Sequence, residues 1–133
     1  MLYLNENRII HRDLKPQNIL IKGNHIKICD FGFAKKLSAS TNFLQSMKGT
    51  PLYLAPEIVR ETKYTEKVDI WSFGCIIYEL FTGRTPYYAS TYQKLAPLIM
   101  YQPVIYPKEM PADLKDLIAS MLQKNPSSRP NWK

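Results

Sequence analysis

Four polar side chains are closely spaced near the start of the sequence. Residues 11–18 read HRDLKPQN, which places the carboxylate of Asp13, the ammonium of Lys15 and the amide of Asn18 within six residues. The carboxylate of Asp30 follows twelve residues after Asn18 and opens the sequence DFG. Phosphoryl transfer from ATP needs such groups: one that orients an attacking hydroxyl, a cation for the phosphates, and oxygen ligands for Mg²⁺. The spacing therefore predicts phosphoryl-transfer chemistry.

A β-hairpin is predicted between Asn18 and Asp30. Residues 19–22 and 25–29 are rich in apolar side chains, and the Gly-Asn pair that joins them is typical of a tight two-residue turn. Because Asn18 and Asp30 flank the open end of this hairpin, we expect them to lie close together.

Helical features appear in the second half of the chain. Residues 67–81 are apolar on every face, which predicts a helix buried at the centre of the domain, and Gly83 suits its C-terminal cap. Residues 114–122 follow the spacing of a helix with one apolar face. Residues 90–101 are also predicted to be helical, with Pro97 kinking or breaking the helix. These elements predict a fold that is mainly α and α+β overall.

Two further segments are less regular. Residues 1–7 are predicted to form the last turns of a helix, since their apolar run is too short to be helical alone. Residues 35–55 are rich in Ser, Thr and Lys without a sustained period, which predicts a long loop, and loops of that length are usually functional.

Composition narrows the class of protein. The chain has 133 residues, 45% of them hydrophobic, which suits one soluble globular domain. Its net charge of +7 is spread along the sequence, which favours a mildly cationic surface over a nucleic-acid-binding one. We expect neither a membrane span nor a signal peptide. Cys29 and Cys75 lack the spacing of a metal site, so free thiols in a reducing, cytoplasmic compartment are expected.

Taken together, the motifs resemble the large C-terminal lobe of a eukaryotic protein kinase. Lys15-Pro16 in the catalytic loop is similar to the serine/threonine branch, and the sequences CDFGFA and KGTPLY are similar to the Fused and Unc-51-like kinases. The resemblance implies a helical bundle with a small β-hairpin that carries the catalytic and metal-binding loops. The motifs that carry it, in chain order, are HRDLKPQN at 11–18, DFG at 30–32, GTPLYLAPE at 49–57, DIWSFG at 69–74, and Arg129.

The resemblance implies catalytic and ligand-binding roles. Asp13 accepts a hydrogen bond from the substrate hydroxyl and orients it, and Lys15 neutralises charge on the transferring phosphoryl group. The hydroxyl of Thr50 contacts Asp13 and Lys15. Asn18 and Asp30 bind Mg²⁺, and Leu20 lies beneath the adenine of ATP. Taken singly, an Asp or Asn in a loop is more often a turn residue, and Leu20 would be an ordinary core leucine.

Further residues acquire structural roles from the resemblance. His11 and Phe31 resemble members of the regulatory spine of kinases, and Asp69 resembles its anchor. A carboxylate that opens an apolar helix must find partners, and the resemblance supplies backbone N–H groups of the catalytic loop. Glu57 and Arg129 resemble an ion pair inside the lobe.

Arg12 resembles the arginine through which many kinases bind a phosphate on the activation loop. A phosphate adds nearly two negative charges and can order a loop by pairing with arginine. Ser46 is the first candidate acceptor of that phosphate, and Thr50 is the second.

Other kinase parts are not found in the sequence. It has no Gly-rich loop, no strand lysine and no hinge, so residues 1–133 are expected to be a partial kinase domain with a small lobe upstream and a final helix missing. The first functional hypothesis is an ATP- and Mg²⁺-dependent serine/threonine kinase with a protein substrate. The alternative is a non-catalytic lobe that acts as an interaction module.

Overall fold

The computed structural model describes residues 1–32, 34–36 and 51–132. Over these residues the structure is mostly helical, as the sequence predicts, and none of the described helices is both long and apolar enough to cross a membrane. The helices are α1 (Leu2–Glu6), α2 (Pro56–Val59), α3 (Lys67–Thr82), α4 (Tyr92–Tyr101) and α5 (Ala112–Met121), and the strands are β1 (Ile9–Ile10), β2 (Ile19–Lys22), β3 (His25–Ile28) and β4 (Lys35–Lys36). Two 3₁₀ turns span Pro16–Asn18 and Pro126–Ser128.

The predicted hairpin is confirmed. Strands β2 and β3 pair antiparallel, with Ile19 opposite Ile28. Gly23 in the turn has φ +59°, a left-handed conformation that glycine adopts without a steric penalty. At the open end the Cys29 N–H donates to the Asn18 carbonyl at 2.9 Å, so the chain enters and leaves the hairpin at neighbouring points.

The predicted loop over residues 35–55 is wrong at its start. Lys35–Lys36 forms strand β4, which pairs antiparallel with β1 in the register Ile9 opposite Lys36. The backbone groups of β1 need hydrogen-bond partners as the chain enters the catalytic loop, and β4 provides them. Residues 37–50 lie outside the described residues.

Helix α3 is the centre of the core, but it is not buried on every face. Trp71 and Cys75 are fully buried, whereas Leu80 is 78% exposed and Phe81 is 42% exposed. Burial all round is therefore wrong for the last turn, because no element among residues 1–32, 34–36 and 51–132 covers it. The helix ends at Gly83 with φ 74°, as predicted for a glycine C-cap.

Helix α5 packs one face on α3. Ile118 and Met121 are buried, as is Leu122 just beyond the helix, but Leu117 is 45% exposed. Leu117, which belongs to the apolar repeat of residues 114–122, lies at the edge of the buried face. Gly74 permits the close approach, since a Cβ there would lie 2.9 Å from Met121 Cβ.

Of the predicted kink or break at Pro97, the break is excluded, because helix α4 continues through this residue. Proline removes the hydrogen bond that its N–H would donate to the carbonyl of Gln93. Pro97 and Gln93 are both exposed, so water can satisfy that carbonyl. Burial of Leu95 and Ile99 on the opposite side stabilises the helix across the missing bond.

Candidate active site

The catalytic-loop side chains predicted from the sequence converge on one carboxylate. Asp13 is buried, and its Oδ2 lies 2.9 Å from Lys15 Nζ. Asn18 Nδ2 donates to the same Oδ2 at 3.1 Å and to the Asp13 backbone carbonyl at 2.8 Å. The 3₁₀ turn Pro16–Asn18 brings Asn18 back over Asp13, because proline presets the backbone for such a turn. The structure therefore brings together three of the predicted groups.

The hydrogen bonds leave specific oxygens open. Both contacts to the Asp13 carboxylate use Oδ2, so its Oδ1 accepts no hydrogen bond from the described part of the chain. The Asn18 side chain donates through Nδ2 alone, and its Oδ1 likewise has no donor among the described residues. One carboxylate oxygen can thus accept a proton from a hydroxyl, and one amide oxygen can bind a cation.

Asp30 adopts an unusual backbone conformation at the open end of the hairpin. Its φ is 60°, and a non-glycine residue in this left-handed region is uncommon and often marks a functional site. The Gly32 N–H donates to Asp30 Oδ1 at 3.2 Å, which orients the exposed carboxylate. Asn18 and Asp30 therefore flank the same end of the hairpin, as predicted.

The carboxylate of Asp69 fixes the backbone of the catalytic loop. Its carboxylate, 1% exposed, accepts hydrogen bonds from the backbone N–H of His11 at 2.8 Å and of Arg12 at 2.9 Å. Burial raises the pKa of Asp69, and these two donors oppose the rise by stabilising the charged form. The partners predicted for this carboxylate are the ones that the structure shows. Arg12 itself has φ 68°, so the loop turns sharply at this point.

His11 links the catalytic loop to the segment that carries Asp30. Its Nδ1 accepts from the Asp13 N–H at 3.3 Å, so the proton lies on Nε2, which donates to the Cys29 carbonyl at 3.0 Å. The rings of His11 and Phe31 make an edge-to-face contact, with their centroids 4.8 Å apart. The structure thus places the two predicted spine residues in contact.

Glu57 and Arg129 form the predicted ion pair. The guanidinium donates to both carboxylate oxygens, at 2.7 and 2.8 Å. It also donates to the carbonyls of Gln123 and Lys67 and lies over the Trp71 ring. This buried cluster joins α2, α3 and the C-terminal turn.

A family model described as the protein kinase domain matches residues 1–133 of this chain. The chain belongs to the protein kinase family. The predicted fold class agrees with this assignment, because the kinase is mostly helical with a small antiparallel hairpin beside the catalytic loop.

Three curated relatives of this kinase are serine/threonine-protein kinases, which indicates its branch of the family. It is 50% identical to serine/threonine-protein kinase TIO of Arabidopsis thaliana, over 98% of this chain and 10% of that protein. It is 47% identical to serine/threonine-protein kinase 36 of Mus musculus, over 99% of this chain and 10% of that protein. It is 43% identical to serine/threonine-protein kinase fused of Drosophila melanogaster, over 99% of this chain and 16% of that protein. The predicted likeness to serine/threonine kinases of the Fused and Unc-51-like group is confirmed, and the chain spans 10–16% of the length of these relatives.

Not every predicted site residue of the kinase can be placed. Leu20, predicted beneath the adenine, is on β2 with its side chain 53% exposed. Thr50 and Ser46 lie outside the described residues, so their roles stay predictions.

Two tyrosine contacts in this kinase follow from no sequence motif. Tyr64 Oη accepts a hydrogen bond from Arg12 Nη1 at 2.9 Å, and Tyr53 Oη donates to Glu79 Oε2 at 2.6 Å. The backbone of Tyr53 is also held, since its carbonyl accepts from Ser72 Oγ at 2.8 Å. No spacing rule could have found these pairs, because the partners lie far apart in sequence and meet only after the helices pack.

Proposed function

We propose that this chain forms the large lobe of an ATP-dependent kinase that phosphorylates serine or threonine residues of a protein substrate. The observation that carries the proposal is the Asp13 cluster. Lys15 and Asn18 both engage Oδ2 of this buried carboxylate at 2.9 and 3.1 Å. The cluster fixes the direction of Asp13 Oδ1, which is what a group that orients a nucleophile requires.

In the proposed reaction Asp13 Oδ1 accepts a hydrogen bond from the substrate hydroxyl. The hydroxyl oxygen forms a bond to the γ-phosphorus of ATP, the bond from that phosphorus to the oxygen bridging to the β-phosphate breaks, and ADP leaves. The hydroxyl proton passes to Asp13. Lys15, whose side chain is 36% exposed, can stabilise the negative charge on the transferring group. Thr50 keeps its predicted role as a contact of Asp13 and Lys15.

The donor set fits Mg²⁺. The Asn18 amide oxygen and the Asp30 carboxylate are hard oxygen ligands, and Mg²⁺ takes one or two protein ligands together with phosphate oxygens and water. No group of three or more His, Cys, Asp or Glu side chains that could hold a metal exists within the described residues. When bound, Mg²⁺ would neutralise charge on the phosphates.

We further propose that a small lobe covers the hairpin side of the site, with Leu20 beneath the adenine. Leu20 and Phe31 are 53% and 46% exposed, and Ile21 and Ile26 are 76% and 72% exposed. Ile21 and Ile26 are cross-strand partners on one face of the hairpin, and Leu20 lies on the opposite face; an exposed apolar surface of this kind is typical of an interface. A second lobe would bury this surface and complete the ATP cleft.

For regulation, we propose that a phosphate on Ser46 activates the kinase by pairing with Arg12. The support is geometric. The backbone N–H of Arg12 donates to Asp69 Oδ1 at 2.9 Å, and this hydrogen bond holds Arg12 next to Asp13 in the chain. Phosphopeptide mapping of the active enzyme should find the phosphate between Lys36 and Tyr53. Full activity in both Ser46→Ala and Arg12→Ala would exclude loop phosphorylation as the switch.

A cytoplasmic location is part of the proposal. Cys29 and Cys75 are both free thiols, as is common for proteins of reducing compartments.

The test of the proposed function measures transfer of the radiolabelled γ-phosphate of ATP to a serine/threonine peptide library by the full-length kinase with Mg²⁺. Asp13→Asn should lower the rate by about 10²- to 10⁴-fold, the usual contribution of a positioned acid–base group. The matched control is Asp116→Asn, the same change at an exposed position of α5, and it should retain the wild-type rate. No transfer by the wild-type protein would favour the non-catalytic interaction module, and an unchanged rate in Asp13→Asn would refute the proposed role of Asp13.

A further inference from the structure

A lysine side chain reaches the core of the kinase without an acidic partner. Lys124 lies just beyond α5, and its Nζ donates to Tyr87 Oη at 2.7 Å and to the carbonyl of Ile99. The same atom lies 4.3 Å from the centroid of the Tyr87 ring and 5.2 Å from that of Trp71. No ion pair among residues 1–32, 34–36 and 51–132 includes Lys124. The ammonium is therefore held by neutral groups.

Two arginines near Lys124 oppose its protonation. Arg129 Cζ lies 5.0 Å from the centroid of Trp71, the ring that Lys124 also contacts, and Arg60, just after α2, repels the ammonium as well. The aromatic rings attract a cation, but removal of the ammonium from water acts in the opposite direction. Burial lowers the pKa of Lys124 to about 8, and the two arginines contribute in the same direction.

Groups that could compensate for the positive charge are paired or neutral. Arg129 already binds both oxygens of the Glu57 carboxylate. Cys75 on α3 is fully buried, and burial raises the pKa of its thiol. Burial likewise raises the pKa of the Tyr87 hydroxyl. Both groups keep their protons over the range in which Lys124 titrates, so the ammonium gains no counter-charge from them.

The hydrogen bonds of Lys124 suit the neutral amine as well as the ammonium. A lysine ammonium carries three N–H donors, and the described residues offer Nζ two acceptors, Tyr87 Oη and the Ile99 carbonyl. A neutral amine retains two N–H groups, so both hydrogen bonds can persist after the third proton leaves. The side chain is only half-buried, which gives that proton a route to solvent.

We propose that Lys124 is a pH-sensitive group of the core, which loses one proton to solvent while the fold persists, and that the kinase is more stable when this lysine is neutral. In the unfolded chain, water surrounds the amine, which keeps its proton up to about pH 10. From about pH 8 upward, the unfolded state therefore binds more protons than the folded state, and stability rises with pH. Above about pH 8.5, ionisation of Cys75 in the unfolded chain has the opposite effect, so a variant must isolate the contribution of Lys124.

The first experiment compares the unfolding equilibria of full-length wild-type and Lys124→Met kinase at about pH 7 and pH 9. Brief proteolysis in urea, with mass spectrometry of peptides from residues 51–132, measures the folded fraction of this lobe. The unfolding constant of the wild type, divided by that of Lys124→Met, should fall by about 3- to 10-fold between these pH values. The lower limit allows for solvent screening of a half-buried group. Ionisation of Cys75 and of the tyrosines cancels in this ratio, because both proteins contain them.

The matched control is Lys108→Met, which removes an exposed lysine. The corresponding ratio for this variant should stay constant with pH. A wild-type to Lys124→Met ratio that also stays constant would overturn the inference.

A second experiment uses the folded wild type alone and so does not depend on the folding of a variant. Trace labelling of amines in the full-length kinase with acetic anhydride, followed by mass spectrometry, gives the relative rate at each lysine from about pH 6.5 to pH 10. Only the neutral amine reacts, so the rate at Lys124 should level off above about pH 8 to 9, whereas the rate at Lys108 should still rise. Access of the reagent scales the rate at Lys124 but does not move its midpoint. Parallel pH profiles at the two lysines would overturn the inference.

Discussion

Replacing Arg129 with alanine should destabilise the kinase by about 3–5 kcal/mol, because it leaves the buried carboxylate of Glu57 without its counter-charge. The side chains of Arg129 and Glu57 are 0% and 5% exposed. The guanidinium donates to Glu57 at 2.7 and 2.8 Å and to the carbonyls of Gln123 and Lys67 at 2.8 and 2.9 Å. Water cannot readily replace these bonds in the variant.

The hydrogen bonds support this magnitude independently. A hydrogen bond to a charged group contributes about 1.5–3 kcal/mol net, so the two bonds to Glu57 account for about 3 kcal/mol at the least. A domain of this kind is stable by only about 5–15 kcal/mol. The substitution should therefore remove a large share of the stability, and Glu57→Leu should have a comparable effect because it leaves a buried guanidinium.

The assay is urea unfolding of the kinase domain followed by tryptophan fluorescence. Trp71 is a local probe, since its ring centroid lies 5.0 Å from Arg129 Cζ. The double variant Glu57→Leu/Arg129→Met removes both charges and should cost less than the sum of the single changes, by about 0.5–3 kcal/mol.

Arg84→Ala is the matched control, because it removes an exposed arginine just after α3 and should shift stability by no more than about 0.5 kcal/mol. A loss below about 1 kcal/mol for Arg129→Ala, or single changes that simply add, would refute the reasoning that the pair is a buried, coupled unit.

Three other predictions follow from the site and the core. In the full-length kinase, Asp13→Asn should leave binding of Mg²⁺·ATP largely intact, whereas Asp30→Ala should weaken it by removing a metal ligand; equal losses in a nucleotide titration would contradict this division of roles. The polypeptide of residues 1–133 alone should show no measurable kinase activity, very weak ATP affinity in calorimetry and poor solubility, and robust phosphorylation that Asp13→Asn abolishes would overturn this. Gly74→Ala should cost about 1–3 kcal/mol by overpacking, since its Cβ would lie 2.9 Å from Met121 Cβ, and an unchanged urea midpoint would show that α5 can shift.

Local patterns predicted the elements near the site. The Gly-Asn turn and its flanking apolar runs predicted the hairpin, because a two-residue turn sets the strand pairing by itself. Gly83 predicted the end of α3, because glycine has no side chain and adopts the left-handed φ of a helix C-cap without a steric penalty. The same local rules were not sufficient at Pro97, where the helix does not break, and they failed at Leu80. Water can satisfy the carbonyl freed by Pro97, and the exposure of Leu80 depends on which elements surround the end of α3.

The sequence by itself determined which groups are available for chemistry and which of them are neighbours along the chain. Six consecutive residues contain Asp13, Lys15 and Asn18, so the types and spacing of these residues largely predict that their side chains meet. Only the tertiary structure decided the contacts over long separations, such as Tyr64 with Arg12 and Tyr53 with Glu79. The physical reason is that these pairs depend on how α2, α3 and the catalytic loop pack together, and no local backbone preference encodes the distance between two side chains on separate elements.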